Sequence, residues 1–127
     1  MNKRFKQIYE LSGKPIRRVI GLMSGTSLDG LDIAYCHCSE QGLEVKEYLT
    51  VPYDEKIRSL LVSVQSKEQA PLGSLCILNT KLAHSYAAFI RMALQKWNLS
   101  HKDLDFIGSH GQTVFHFPTK ERTATLQ

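Results

Sequence analysis

The chain has 127 residues, 43% hydrophobic and 22% charged, with a net charge of +4. That is the composition of one globular domain or part of one, able to bury roughly two-thirds of its unfolded surface. The basic residues are scattered, which argues against nucleic-acid binding, and three cysteines, an odd number, argue against a secreted disulfide framework.

Residues 1–16 read as an N-terminal extension, and the rest, 17–127, as one α/β unit. The extension has no apolar core for a signal peptide, and no run approaches a membrane span, so a cytoplasmic protein without membrane contact is expected. "RRVIGLM" (17–23) and "LDIAYCHC" (31–38) are short apolar runs, the second with apolar or small groups on both faces, as in a strand covered on both sides. Cys36 and Cys38 fall on one face, about 6.6 Å apart along the strand, near the upper limit for a disulfide. Buried reduced thiols are expected there, because no second ligand pair completes a zinc site. "SLDG" (27–30) between the runs ends in Asp-Gly, a hairpin signal. After Gly42, Leu43, Val45, Leu49 and Val51 alternate with Glu44, Lys46 and Thr50, and Glu47 breaks the pattern. Three consecutive antiparallel strands are predicted.

The period then changes. Asp54 caps a predicted helix with Ile57, Leu60, Leu61 and Val64 on one stripe. From Pro71 to about Asn98 a longer helix carries Leu75, Leu78, Leu82, Tyr86, Phe89, Ile90, Ala93 and Trp97, a spacing typical of core packing. "FIGSHG" (106–111) reads as a buried strand and "FPTKERT" (117–123) as a charged loop. The order of elements predicts a mixed sheet in which the long helix crosses over to bring a later strand in parallel.

The stretch "SGTSLDG" (24–30) holds the most chemistry. It lacks the Lys-Ser/Thr ending and the following helix of a P-loop, and it has no G-x-G-x-x-G. A hairpin tip can still gather successive N–H groups around phosphate oxygens. Gly25 would let the backbone approach, Thr26 and Ser27 would add hydroxyl donors, and Asp29 or Asp32 could hold Mg2+ directly or through water. A plain Ser/Thr/Asp/Gly turn accounts for the same residues, and the sequence leaves both open. At "SHGQTVFH" (109–116), His110 and His116 would lie about 20 Å apart on an extended strand, too far for one ion. His116 is expected as a buried, hydrogen-bonded histidine. His110, Gly111 and Gln112, where an apolar strand gives way to a polar loop, are candidate ligand groups.

"VIGLMSGTSLDGLDIA" (19–34) resembles the N-terminal signature of the anhydro-N-acetylmuramic acid kinase family. "IGSHGQTVFHFP" resembles its second signature, and "TATLQ" the strand that follows. The resemblance implies a ribonuclease-H-like lobe of the sugar kinase, actin and chaperone ATPase superfamily. ATP phosphates would lie against Ser24, Gly25, Thr26, Ser27, Leu28, Asp29, Gly30, Leu31 and Asp32, with Mg2+ near Asp29 or Asp32. The sugar would meet His110, Gly111 and Gln112. Met23 stands where superfamily members carry an aspartate, and family members are about three times longer, which places the expected catalytic aspartate beyond Gln127. The implied reaction opens the 1,6-anhydro ring of an amino sugar with water and phosphorylates the 6-oxygen, in an enzyme that is a homodimer at full length. A nucleotide-binding regulator or chaperone-like ATPase on the same scaffold, and a non-catalytic interaction module, are the alternatives.

Overall fold

The computed structural model describes residues 2–127. A helix, α1 (Lys3–Ser12), precedes strands β1 (Arg17–Ser24), β2 (Gly30–Ser39) and β3 (Gly42–Pro52). Helices α2 (Glu55–Val64) and α3 (Leu72–Lys96) lead to β4 (Phe106–Gln112) and a hairpin of β5 (Phe115–Pro118) and β6 (Thr123–Leu126). The Asp54 carboxylate accepts the Ile57 N–H at 2.8 Å and starts α2 as the sequence predicts. Asn98, with φ +55, ends α3, and its neighbour Leu99 turns its N–H back to the Leu94 carbonyl at 2.9 Å.

The main sheet runs β3-β2-β1-β4, with β1 antiparallel to β2 and parallel to β4. Ile20 and Leu22 of β1 and Leu31 and Ile33 of β2 face the helices. There they meet Ile57, Leu61 and Val64 of α2 and Leu78, Leu82 and Ala93 of α3 in one core. No helix is long and apolar enough to cross a membrane among the described residues.

Several expectations are corrected. The 43–51 alternation does not hold to one face. Tyr35 pairs with Glu47 but Cys36 with Val45, so Lys46 is an extra residue in a bulge. Leu43 and Val45 therefore share the face of Cys36 and Cys38, while Leu49 and Val51 share that of Ile33 and Leu31. The bulge is the physical reason for the break at Glu47. The face away from the helices is open, with Met23, Val45 and Tyr48 exposed, so β2 is covered on one side and not on both. Cys36 is buried, but Cys38 is half-buried. β4 is not a buried strand either. Among the described residues it pairs only with β1, and Phe106 and Ile107 are 42% and 49% exposed. Residues 1–16 carry an element that the extension did not suggest. In α1, Phe5, Ile8 and Tyr9 point outward, all exposed, while the linker that follows the helix is tied to the sheet.

That tie is Asp105. Its side chain is 3% exposed, and it accepts Lys14 Nζ at 2.5 Å and the Arg18 N–H at 2.7 Å. Burial alone would push its carboxyl up, but the Lys14 and Arg18 hydrogen bonds and charges outweigh it and hold the pKa below the ordinary value. The contact therefore stabilises fully above the ordinary carboxylate pKa and is lost as pH falls through the lowered one. Asp105→Ala is expected to cost about 1–3 kcal/mol near neutral pH, chiefly by orphaning the Arg18 N–H. Thermal melts of both proteins along an acid series should show the gap narrowing as the wild-type carboxylate protonates and its charge contribution is lost. A gap that stays constant into strong acid would contradict the charge contribution.

Candidate functional site

The connection from β1 to β2 is a five-residue loop, 25–29, pinned at almost every residue. Gln112 Nε2 donates to the Gly25 carbonyl at 3.2 Å, and Gln65 Nε2, from the end of α2, donates to the Thr26 carbonyl at 3.3 Å. The Tyr53 N–H donates to the Asp29 carbonyl at 3.0 Å. In a trans peptide the C=O and the following N–H point in opposite directions. Turning the Gly25 and Thr26 carbonyls inward therefore turns the Thr26 and Ser27 N–H groups outward. Among the described residues those two N–H groups meet no backbone acceptor. Two adjacent outward amides form the start of an anion-binding concavity.

Leu28 is the loop's anchor. It takes φ +57, which costs a leucine roughly 1–2 kcal/mol. Its side chain lies in the core at 7% exposure, and burial of a leucine returns about that much. The Asp29-Gly30 pair is thus not the turn that the hairpin signal suggested. The left-handed residue is Leu28, and Gly30 opens β2 tight against β3, where a Cβ would stand 2.5 Å from the Val51 carbonyl oxygen. Gly25 is the opposite case, since a Cβ there would meet only Ser27 Oγ at 3.7 Å. Among the described residues nothing requires a glycine at 25, whereas a ligand drawn up to the outward amides would.

The structure divides the nine candidate phosphate residues. Gly25, Thr26, Ser27 and Asp29 reach the surface of the loop. Ser24 is 1% exposed, Leu31 is wholly buried, and Leu28 and Gly30 are buried too, so none of the four presents a side chain to a ligand. Asp29 accepts Ser27 Oγ–H at 2.6 Å. That hydrogen bond is the main cause of its lowered pKa, with backbone N–H groups and the Arg58 charge helping. Asp32 is elsewhere. It lies on the open face of the sheet and accepts hydroxyls from Tyr48 and Thr50 at 2.7 and 2.6 Å. Asp29 and Asp32 therefore do not converge in one cage, and no cluster of three metal-ligating side chains occurs among the described residues. A phosphate group fits the loop, and a phosphate-bound Mg2+ could draw on Asp29 alone.

At the end of β4 a second bulge decides where side chains point. Leu22 pairs with Ser109 but Ser24 with Gln112, so β4 carries one extra residue, and Gly111 absorbs it at φ +82. The bulge turns Gln112 onto the core side against Ser24 and leaves His110 exposed beside Gln127, 3.1 Å between the side-chain nitrogens. Gln112 is 5% exposed. Its Nε2 donates to the Gly25 and Thr113 carbonyls and its Oε1 accepts from Ser24 Oγ–H. Both amide hydrogens of Gln112 are thus engaged within the chain, which leaves none free for a sugar in this structure. A cleft of about 440 Å3 opens between α3 and this strand end, walled by Leu78, Leu82, Tyr86, Ser109, Gly111 and Gln112 among others. His116 is exposed, contrary to expectation, and Thr125 Oγ1 lies 2.9 Å from its Nδ1 across the β5–β6 hairpin.

Three contributors escaped the sequence reading: Gln65, Tyr53 and Tyr86. Tyr53 OH lies 2.6 Å from Ser24 Oγ and 3.1 Å from Tyr86 OH. Burial pushes the Tyr53 phenol far above its usual pKa, so it stays protonated. Tyr53 and Tyr86 lie far apart along the chain, and Tyr86 looked like part of the helix's core stripe.

A mixed sheet with an antiparallel three-stranded opening and a parallel fourth strand is the architecture of an actin-like ATPase lobe. The sequence model for anhydro-N-acetylmuramic acid kinase matches residues 17–127, and the chain belongs to that family. Anhydro-N-acetylmuramic acid kinase of Pseudoalteromonas atlantica is 40% identical to it over 137 residues, covering 100% of this chain and 34% of its own length. The enzyme of that name from Pseudoalteromonas translucida is 34% identical, covering 95% and 31%, and that from Bacillus cereus is 38% identical, covering 86% and 30%. The chain spans about a third of the length of the curated relatives it matches.

Proposed function

We propose that this chain is the phosphate-binding lobe of an ATP-dependent sugar kinase acting on anhydro-N-acetylmuramic acid in the cytoplasm. The enzyme opens the 1,6-anhydro ring with water and phosphorylates the freed 6-oxygen. One observation carries the proposal: the pinned Gly25 and Thr26 carbonyls leave consecutive N–H groups facing outward beside the Thr26 and Ser27 hydroxyls. ATP would supply the phosphoryl group, and Asp29, exposed on the loop, is the carboxylate that could meet its Mg2+ directly or through water. Those donors hold the phosphates still without needing a lysine. The Gly111 backbone, which lines the cleft, and His110, exposed beside Gln127, meet the sugar or its attacking water.

The test is sugar-dependent ATP turnover by the full-length protein, with the 6-phosphate as product. His110→Ala is expected to lower kcat/KM by about tenfold or more with the fold intact, the effect of losing one orienting hydrogen bond. Wild-type kinetics in that variant would remove His110 from the site. ATP hydrolysis indifferent to the sugar would favour a chaperone-like ATPase instead.

A further inference from the structure

Between the cleft and the loop runs a buried chain of hydrogen bonds whose direction is fixed by chemistry. Gln112 Nε2 faces two carbonyls, those of Gly25 and Thr113, so its Oε1 must be the end that meets Ser24. An amide oxygen only accepts, so Ser24 donates its single proton to Gln112. Ser24 can then only accept from Tyr53, and Tyr53, its proton used, accepts from Tyr86. The result is a one-way sequence from Tyr86 through Tyr53 and Ser24 to Gln112, ending on the Gly25 carbonyl. Ser24, Tyr53 and Gln112 are all buried, at 1%, 8% and 5% exposure, and no buried side-chain polar atom lacks a partner among the described residues.

The end of that sequence matters most. Gln112 holds the Gly25–Thr26 peptide, whose N–H points outward, and Gln65 holds the next peptide by the Thr26 carbonyl. Gln65 also reaches the Thr113 carbonyl at 3.5 Å, so two glutamines share one backbone anchor and grip consecutive loop carbonyls. Neither side chain has an amide hydrogen aimed at the place a phosphate would occupy. A preorganised donor set costs no rearrangement when the anion arrives.

We infer that Gln112 and Gln65 are paired positioning residues that orient the phosphate-facing amides of residues 26 and 27, with Tyr53 and Tyr86 fixing Gln112 through Ser24. This inference rests on the hairpin being a phosphate site and adds what shapes it. Effects should decay along the sequence. In the full-length protein, Gln112→Ala is expected to weaken Mg·ATP binding by about tenfold or more, Tyr53→Phe by about fivefold and Tyr86→Phe by about twofold. Gln65→Ala, which removes longer and more exposed bonds, belongs with the smaller effects. Sugar KM should change less than ATP affinity.

Gln112→Glu gives a signature that packing alone would not. A carboxylate at 112 still accepts from Ser24 but sets oxygen against the Gly25 and Thr113 carbonyls. Burial and those oxygens raise its pKa, and protonation returns one donor. Its Mg·ATP affinity, taken as a ratio to wild type at each pH, should recover as pH falls from about 8 to about 6, the range in which a raised carboxyl pKa lies. The measurements are Mg·ATP titrations and thermal melts on all five variants and on Gly25→Val. Wild-type affinity within about twofold in well-folded Gln112→Ala and Tyr53→Phe overturns the inference, since a working clamp would cost more than that. So does a loss that falls equally on ATP and sugar with the melting temperature, or a Gln112→Glu ratio that ignores pH. If Gly25→Val itself keeps its affinity, the phosphate site fails first and the clamp with it.

Discussion

Gly25→Val is expected to lower the affinity of the full-length protein for Mg·ATP by about 100-fold, some 2.7 kcal/mol, with little change in melting temperature. The two halves of that result have separate causes. Stability is kept because a Cβ at 25 meets nothing closer than Ser27 Oγ at 3.7 Å, and the backbone there is not left-handed. Affinity is lost because the inward Gly25 carbonyl directs the Thr26 N–H outward, and the valine methyl groups would stand beside that amide, where a phosphate oxygen must come within hydrogen-bond distance. Thr26→Ala is expected to cost about 1–3 kcal/mol of binding as a donor to a charged oxygen. Ser27→Ala should cost less, because Ser27 Oγ–H already donates to Asp29 and must leave it to reach a phosphate. Calorimetric titration beside a thermal melt reads both halves. A folded Gly25→Val protein that binds as wild type would make the loop a structural turn and nothing more.

Much of this lobe is legible in the residues, and the parts that are not share a cause. Strand and helix positions follow from local pattern. The Asp54 cap, the Ile57–Val64 stripe and the three opening strands are set by neighbours a few residues away. α1 follows the same logic, since Asn2 caps it and Phe5, Ile8 and Tyr9 keep helical spacing. The two bulges are different. One extra residue at Lys46 moves Leu43 and Val45 to the other face, and one at the Gly111 bulge swings Gln112 into the core. A bulge is decided by the partner strand's register, which no single strand's pattern contains. The same holds for the candidate site. Gly25, Thr26 and Ser27 could be picked out because small and hydroxyl residues cluster there. The groups that shape them, Gln65, Tyr53, Tyr86 and Gln112, come from four separate places along the chain and meet only after the fold forms.

Gly30→Ala, five residues from Gly25, should have the opposite outcome. A Cβ at 30 would lie 2.5 Å from the Val51 carbonyl oxygen and 3.0 Å from Pro52 Cα. Those are backbone atoms of β3, paired to β2 along its whole length, so no side chain can swing aside to make room. The strands must part locally. The first bond at risk is the one the Tyr53 N–H donates to the Asp29 carbonyl, immediately beyond the Gly30–Pro52 pair. Overpacking of this kind costs about 2–3 kcal/mol. For a domain of this length that is a fall in melting temperature on the order of 10 °C. Loss of nucleotide affinity should follow from geometry as well as from stability, because displacing Tyr53 withdraws the donor that fixes Ser24 and, through it, Gln112. Thermal melts of Gly30→Ala and Gly25→Ala side by side separate the two glycines: the first destabilises, and the second melts as wild type. Should Gly30→Ala melt within about 2 °C of wild type, a shift of well under 1 kcal/mol, the close approach of β2 to β3 is not what holds a glycine at that position.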